Sequence, residues 1–203
     1  MVIGGEERKA HYLGIDLPQW DDCFGMGFPA ATTEAFLEGH PKAFAYCGGV
    51  PRRIRYDNTK RAVAQILGDG TRKKTPAFSE WPSHCRLQER FGRPGQGKVA
   101  GLLGYARRNF MVPVPRCVRW EELNTGLLEQ CRKRRPQRLR GKQQRIGERF
   151  EKDRVALLPL PAVPYEACDK GTARVRALSL VRYRSNAYSM PVCWGHREVR
   201  VQG

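Results

Sequence analysis

The stretch of residues 48–60 constrains the fold of this chain most, because it takes the backbone from a helical pattern directly into a strand pattern. Gly48 and Gly49 end the helical pattern, since glycine readily adopts the left-handed conformation found after helix ends. Polar and apolar side chains then alternate through residues 53–56, which is typical of a half-buried strand. The stretch therefore predicts a strand that follows a helix and ends at Asp57.

Asp57, at the tip of this predicted strand, is the first candidate site residue. A carboxylate flanked by Lys60 and Arg61 is a plausible ligand for a hard cation that lies beside phosphate groups. The structural alternative is the more common one, because aspartate at a strand end usually caps or turns the backbone. The local pattern leaves both interpretations open.

The net charge is the most informative part of the composition. The 203 residues include 37 lysines and arginines against 20 acids, which gives a net charge of +17 and a pI near 10.1. This imbalance favours a polyanionic partner, because each phosphate that the protein neutralises releases counterions. A membrane surface would require a basic amphipathic helix with a large apolar face, and the sequence shows none. We therefore expect DNA, and no membrane, as the partner.

The seven cysteines are scattered along the chain, and none stands in a Cys-x-x-Cys pair. This spacing argues against a zinc knuckle or a disulfide framework and favours reduced thiols. No stretch near the N-terminus has an apolar core long enough for a signal peptide or a membrane span. These features predict a cytoplasmic protein.

Residues 9–47 carry patterns for two strands and a helix. The strands are predicted within residues 9–28, with Asp16 in the turn between them. The helix is expected to be capped by a threonine at position 32–33 and to kink or break before Pro41, because an interior proline costs about 3 kcal/mol. His40 is expected to be exposed.

The second half of the chain begins with two predicted helices. Residues 98–110 repeat apolar side chains at helical spacing and end at a Val-Pro-Val-Pro run. The stronger helix is Trp120–Arg135, with Pro136 as its stop. One face of it carries Trp120, Leu123, Leu127 and Cys131. A proline-rich extended linker follows at residues 158–164. Strands are predicted beyond it at 177–183, 187–192 and 197–201.

Basic residues concentrate in two segments. Residues 72–74 lie in a predicted loop, for which a solvated surface and a phosphate contact are equally supported. Residues 132–154 are densely basic with little apolar content. A DNA-tracking connector is favoured there over a solvated helix and linker, because like charges this dense repel unless a polyanion neutralises them.

Several longer motifs resemble a known family. They are Leu67-Gly68-Asp69-Gly70, Arg90-Phe91-Gly92-Arg93-Pro94-Gly95, Gly104-Tyr105-Ala106-Arg107-Arg108-Asn109-Phe110, Ile146-Gly147-Glu148-Arg149-Phe150, Leu158-Pro159-Leu160-Pro161 and Val181-Arg182-Tyr183. Together with residues 48–60 they resemble the transposase of IstA-type bacterial insertion sequences over nearly the whole chain. The resemblance implies an α/β, ribonuclease-H-like fold of the integrase catalytic core type. In that core two aspartates and one glutamate bind divalent metal, Mg²⁺ or Mn²⁺, and Asp57 matches the second of these acids.

The sequence departs from the family pattern at both other acids. The first aspartate of the family lies just before the segment that matches residues 2–5, so this chain starts after it. The family's glutamate falls at Ala100, and a few residues between the glycines that match Gly95 and Gly97 are missing. The resemblance therefore predicts a truncated copy whose core is N-terminally trimmed and whose chemistry is impaired.

The resemblance also implies how the chain is divided and what it contacts. We expect a ribonuclease-H-like core at 1–130, a basic helical connector and proline-rich linker at 131–164, and a partial small β-barrel at 165–203. The predicted DNA contacts are Lys60, Arg61, Arg72, Lys73, Lys74, Arg93, Lys98, Arg107, Arg108, Arg132, Lys133, Arg134 and Arg135. The expected function is that of a DNA-binding, catalytically impaired transposase fragment. The alternative is a non-enzymatic fragment that associates with intact transposase or its ATPase helper. A homo-oligomer and an ATPase helper protein are the further partners that the resemblance suggests.

Overall fold

The fold was analysed in a computed structural model that describes residues 1–57, 62–66, 72–92, 98–168 and 170–202. At residues 66, 72, 76, 98–100, 102, 103 and 153 only the backbone is described. The chain forms two compact units, Met1–Tyr165 and Glu166–Gly203. Helices and strands alternate in the first unit, so the mixed α/β class predicted from the sequence is confirmed.

The first unit begins with a small sheet and a long hairpin. Strands β1 (Val2–Ile3) and β2 (Glu6–Glu7) pair with each other, and the hairpin consists of β3 (His11–Leu17) and β4 (Asp22–Phe28). The prediction of two strands is confirmed, but the placement of Asp16 in the turn is wrong, because Asp16 lies within β3 opposite Cys23. The turn falls at residues 18–21, where Pro18 ends β3.

Helix α1 (Thr33–Cys47) follows the hairpin and shows the predicted caps. The Thr32 side chain accepts a hydrogen bond from the backbone N–H of Ala35, and Gly48 adopts the left-handed conformation at φ 73°. Of the predicted kink or break before Pro41, the break is wrong, since the helix continues through this residue. His40 is buried at 1% exposure, not exposed as expected. His40 and Phe44, on either side of Pro41, both pack against the ring of Trp81, and this packing offsets the cost of the proline.

A parallel strand pair and an antiparallel pair follow α1. Strand β5 (Arg53–Tyr56) pairs in parallel with β8 (Gln88–Phe91), and β6 (Val63–Ile66) pairs with β7 (Arg72–Lys74). The prediction of a loop at residues 72–74 is wrong, because backbone pairing with β6 holds this polar segment extended. Residues 58–61, 67–71 and 93–97 lie outside the described part, and with them the motif at 67–70 and part of that at 90–95.

Helix α2 (Pro76–His84) joins these strand pairs and was not predicted. Its sequence signal is Thr75-Pro76, an N-cap followed by proline in the first turn. Aromatic side chains from α1, α2 and the β5–β8 pair form one cluster. Its members are Phe36, His40, Phe44, Tyr56, Phe78, Trp81 and Phe91.

Three helices complete the first unit. Helix α3 (Lys98–Phe110) has the predicted bounds, and the short strand β9 (Arg116–Cys117) then pairs with β1. Helix α4 (Trp120–Arg132) ends three residues before the predicted Arg135. Of its predicted apolar face, Leu123, Leu127 and Cys131 are buried and Trp120 is half-buried. Helix α5 (Ile146–Arg154) lies in the basic segment.

The second unit consists of short strands and one helical turn. They are β10 (Lys170–Arg174), β11 (Leu180–Tyr183), β12 (Asn186–Ser189), a 3-10 helix (Val192–Trp194) and β13 (Glu198–Gln202). Strand β10 pairs with β13, and β11 pairs with β12, both antiparallel. Strand β10 was not predicted, because its small and polar residues carry no apolar alternation.

In the described part of the chain, no helix is long and apolar enough to cross a membrane.

The buried imidazole of His40 predicts a specific loss of stability in mild acid. Burial lowers the pKa of His40 to about 4 from 6.5, although a hydrogen bond with the Phe36 carbonyl opposes this. The unfolded chain binds the proton between these pKa values, so the stabilisation is complete above about pH 6.5 and is lost as the pH falls towards 4. The free energy of unfolding should drop by roughly 2 kcal/mol more between pH 7 and pH 5 in the unmodified chain than in His40→Phe. Urea unfolding at both pH values measures this, and equal drops in the two proteins would contradict it.

Candidate nucleic-acid interface

Asp57 lies directly after β5, at the strand end where the sequence placed it, and its side chain is exposed. Strand β5 has β8 as its partner in the described part of the chain, so Asp57 ends a strand of a two-stranded sheet. Ala100 falls in the first turn of α3, where only the backbone is described. The catalytic and metal-binding role of Asp57 stays a prediction.

The described residues do not form a complete site for a divalent metal. Among them no group of three or more histidine, cysteine, aspartate or glutamate side chains lies close enough to hold an ion. Magnesium keeps most of its water unless several oxygens replace it, so a single carboxylate such as Asp57 binds it poorly. The described residues therefore do not fit the two-metal centre that the resemblance implies.

The predicted DNA contacts comprise exposed residues, residues held by contacts within the first unit, which include Arg134 and Arg135, and residues whose side chains are not described. The exposed ones are Lys73 on β7, Arg107 and Arg108 in the last turn of α3, and Arg132 and Lys133 at the end of α4. Lys74 forms an ion pair with Glu89 of β8. Arg72 and Lys98 are described by backbone alone, and Lys60, Arg61 and Arg93 lie outside the described residues.

Arg135 is held inside the first unit. Its Nε donates a hydrogen bond to Oδ2 of Asp22 at 3.0 Å, and the Asp22 side chain is fully buried. The guanidinium also packs over the rings of Tyr46 and Phe150, at 4.2 Å and 4.3 Å from their centroids. Arg135 therefore neutralises the buried carboxylate of Asp22 on β4.

Arg134, like Arg135, is held by contacts within the first unit. Its Nη1 donates to Sγ of Cys23 at 2.9 Å, and its guanidinium lies 4.4 Å from the centroid of the Tyr105 ring. A hydrogen bond from the buried Cys131 thiol, helped by this guanidinium, lowers the pKa of Cys23. Sequence reasoning treated residues 132–135 as four equivalent DNA contacts, but only the first two are exposed. The DNA contacts remain predictions for all four.

The second unit carries a basic cavity that sequence reasoning missed. The cavity encloses about 560 Å³, and its lining includes Arg174, Arg176, Arg182 and His196. Arg174 Nε donates to the carbonyl oxygen of His196 at 3.1 Å, while Arg176 and Arg182 are exposed. Cationic side chains around an open cavity suit an anionic ligand. The sequence signal was the Arg-Val-Arg run at 174–176.

Exposed aromatic rings lie in the same unit. Trp194, two residues before His196, is 43% exposed, and Tyr188 of β12 is 50% exposed. Arg197 lies 5.8 Å from the centroid of the Trp194 ring. Exposed rings beside arginines are a combination found where proteins contact nucleic-acid bases and phosphates.

Comparison with known proteins gives relatives along nearly the whole chain. Residues 160–203 match the family described as Mu transposase, C-terminal domain. A transposase of Aminobacter aminovorans is 27% identical over 99% of this chain, and an IS21-like insertion-element transposase of Bacteroides fragilis is 31% identical over 78% of it. A Pseudomonas aeruginosa transposase for the insertion sequences IS1326/IS1353 is 26% identical over 83% of it. The chain is thus similar to insertion-sequence transposases.

The similarity covers only part of each relative. The matched regions span 40%, 34% and 31% of the Aminobacter, Pseudomonas and Bacteroides proteins, respectively. Among solved structures, a chain of a simian T-cell lymphotropic virus intasome in complex with a PP2A regulatory subunit matches 95% of this chain and 80% of its own. That match has a TM-score of 0.45 and 11% sequence identity.

The contrast between Arg135 and Arg132 predicts different effects on stability. Arg135→Ala should lower the free energy of unfolding by about 3–5 kcal/mol, because it leaves the buried Asp22 carboxylate without its ion-pair partner. Arg132 lies three residues earlier and is exposed, so Arg132→Ala should change the free energy of unfolding by no more than about 0.5 kcal/mol. Urea unfolding followed by circular dichroism measures both. Similar losses in the two variants would show that Asp22 does not depend on Arg135.

Proposed function

We propose that this chain is a DNA-binding protein related to IstA-type transposases and that it does not carry out strand transfer by itself. The observation that carries the proposal is the similarity to a transposase over 99% of the chain and to insertion-sequence transposases over 78–83% of it. The IstA assignment, the ribonuclease-H-like core and the β-barrel are parts of this proposal, supported by the motifs and by the match of residues 160–203.

The DNA-binding part of the proposal is supported by charge and exposure. The chain carries a net charge of +17, and both units expose arginines. The first unit offers Arg107, Arg132 and Lys133, and the second offers its arginine-lined cavity. A polyanion is the partner that neutralises such a surface with the release of counterions.

The non-catalytic part of the proposal rests on position 100. The resemblance places a metal-binding glutamate there, and this chain has alanine, which offers no oxygen ligand. Two divalent cations normally clamp the attacking and leaving oxygens of a phosphodiester. Alanine at position 100 cannot contribute to such a clamp, so we assign no metal-dependent step to this chain.

The oligomer and the ATPase helper are implied by the resemblance alone, and the compartment was inferred from the cysteine spacing and the N-terminal sequence. Homo-oligomers, an ATPase helper protein and a cytoplasmic location stay predictions for this chain. An interaction role would be favoured over DNA binding if the chain bound intact transposase but not DNA.

DNA affinity should fall steeply with salt. Each neutralised phosphate contributes about 0.9 to the slope of log affinity against log salt concentration, so a surface that contacts several phosphates gives a slope of several units. The double substitution Arg132→Ala and Lys133→Ala should reduce this slope by about 1–2 units, whereas Arg116→Ala with Arg119→Ala, also exposed, should leave it unchanged. Fluorescence anisotropy with a labelled duplex measures the slopes. Absence of binding at low salt would rule out the proposed function.

Strand transfer should be absent even after one acid is restored. The isolated chain should not join labelled insertion-sequence ends to plasmid DNA with Mg²⁺ or Mn²⁺, and Ala100→Glu should not change this. A carboxylate misplaced by about 1 Å can cost about a hundredfold in rate, and the shortened approach at residues 95–97 makes such an error expected. The contrary result would be joined products from the unmodified chain that disappear in Asp57→Ala.

A further inference from the structure

Strand β5 presents two arginines on one face. Arg53 and Arg55 are exposed, whereas Ile54 is half-buried and Tyr56 is buried in the aromatic cluster. Because side chains along a strand alternate between its two faces, both arginines lie on the solvent face of the β5–β8 pair. Neither was among the predicted DNA contacts.

Strand β8 adds a third arginine to this face. The parallel register places Arg90 beside Arg55 and Gln88 beside Arg53, and Arg90 and Gln88 are both exposed. Neighbouring strands lie about 4.8 Å apart, so the guanidinium groups of Arg55 and Arg90 project from adjacent backbones. The residues Arg53, Arg55 and Arg90 are called the arginine face below.

Within strands β5 and β8, none of the residues on the arginine face is acidic. Glu89 alternates to the opposite face of β8, where it forms an ion pair with Lys74. Within the described part of the chain, no ion pair or hydrogen bond to a carboxylate involves the side chains of the arginine face. Like charges placed directly opposite each other on a sheet destabilise it, so an anion that binds here relieves a repulsion that the fold retains.

Asp57 lies next to the arginine face, directly after the end of β5. Counting by two from Arg53 through Arg55 places Asp57 on the same side of β5, one position beyond the strand end, and its side chain is exposed. An anion held by Arg55 and Arg90 therefore lies next to the acid that the resemblance assigns to metal binding.

We propose that the arginine face binds the sugar–phosphate backbone of duplex DNA and directs it towards the strand end that carries Asp57. The inference rests on the proposed DNA-binding function and names a surface for it. Guanidinium groups suit this partner, because their planar forks bind phosphate oxygens in pairs. The exposed side chains of the two strands offer no apolar area with which a folded protein partner would pack.

The test compares two triple variants of the full chain with equal loss of charge. The first carries Arg53→Gln, Arg55→Gln and Arg90→Gln. The second is a matched control with Lys9→Gln, Arg116→Gln and Arg119→Gln, all of which are exposed residues of the same unit. Fluorescence anisotropy with a labelled duplex of mixed sequence gives the affinity of each over a series of salt concentrations.

The first variant should bind more weakly and reduce the salt slope by about 2.7 units, the value for three lost phosphate contacts. The control should keep the slope of the unmodified chain. Replacing the same three arginines by lysine should restore most of the slope, because lysine also neutralises a phosphate. Equal slopes in the first variant and the control would overturn the inference and leave DNA binding itself intact. Failure of the unmodified chain to bind DNA would instead overturn the proposed function.

Two further measurements test the alternatives to phosphate binding. The first asks whether the arginines are neutralised by groups within the protein, and the second asks whether the arginine face binds an acidic protein. Without DNA, the first variant should melt at the same or a higher temperature than the unmodified chain, because a pair of opposed like charges is removed. A lower melting temperature would show that the arginines are neutralised within the protein, which contradicts the inference. Polyglutamate of matched charge should compete with DNA only weakly, and competition as strong as that of DNA would point to an acidic protein partner instead.

Discussion

The buried ion pair between Asp22 and Arg135 holds the first unit together. The Asp22 carboxylate has no exposure, and it also accepts hydrogen bonds from the Cys23 backbone N–H at 2.8 Å and from the Tyr46 hydroxyl. Removing two charges from water costs several kcal/mol for each ion, so this pair stabilises only while all its partners are in place. Arg135 follows α4, Tyr46 belongs to α1 and Phe150 to α5. The ion pair thereby lies where α1, α5 and the segment after α4 meet β4.

Local chemistry was predicted well from the sequence, and tertiary context was not. Thr32 and Gly48 bound α1 as expected, because caps satisfy backbone groups within a few residues. His40 was misjudged, because the aromatic side chains that bury it come from distant segments. The polar segment 72–74 was misjudged for a similar reason, since backbone pairing with β6 makes it a strand whatever its side chains prefer. Burial and pairing depend on neighbours that local spacing does not reveal.

At the candidate site, too, local features were predicted from the sequence and tertiary contacts were not. Alternation along residues 53–57 already placed Asp57 at a strand tip with two arginines on one side of it. That Arg90 lies beside Arg55 depends on the register of two strands separated by α2, which no local pattern contains. The density of charge after α4 indicated a basic connector, but it could not separate Arg134 and Arg135, which are held inside, from Arg132, which is exposed. The family motifs supplied the role of Asp57.

The distribution of thiols gives this protein an internal reporter of the α4 contact. Cys23 on β4 and Cys131 on α4 have no exposure, whereas Cys193 in the second unit is exposed. An alkylating reagent therefore reaches Cys193 in the native state but reaches the other two only after α4 separates from the hairpin. Local openings of this kind have their own free energies, often below that of global unfolding. The rate of modification at Cys131, relative to Cys193, is thus a direct measure of how firmly the basic connector is anchored.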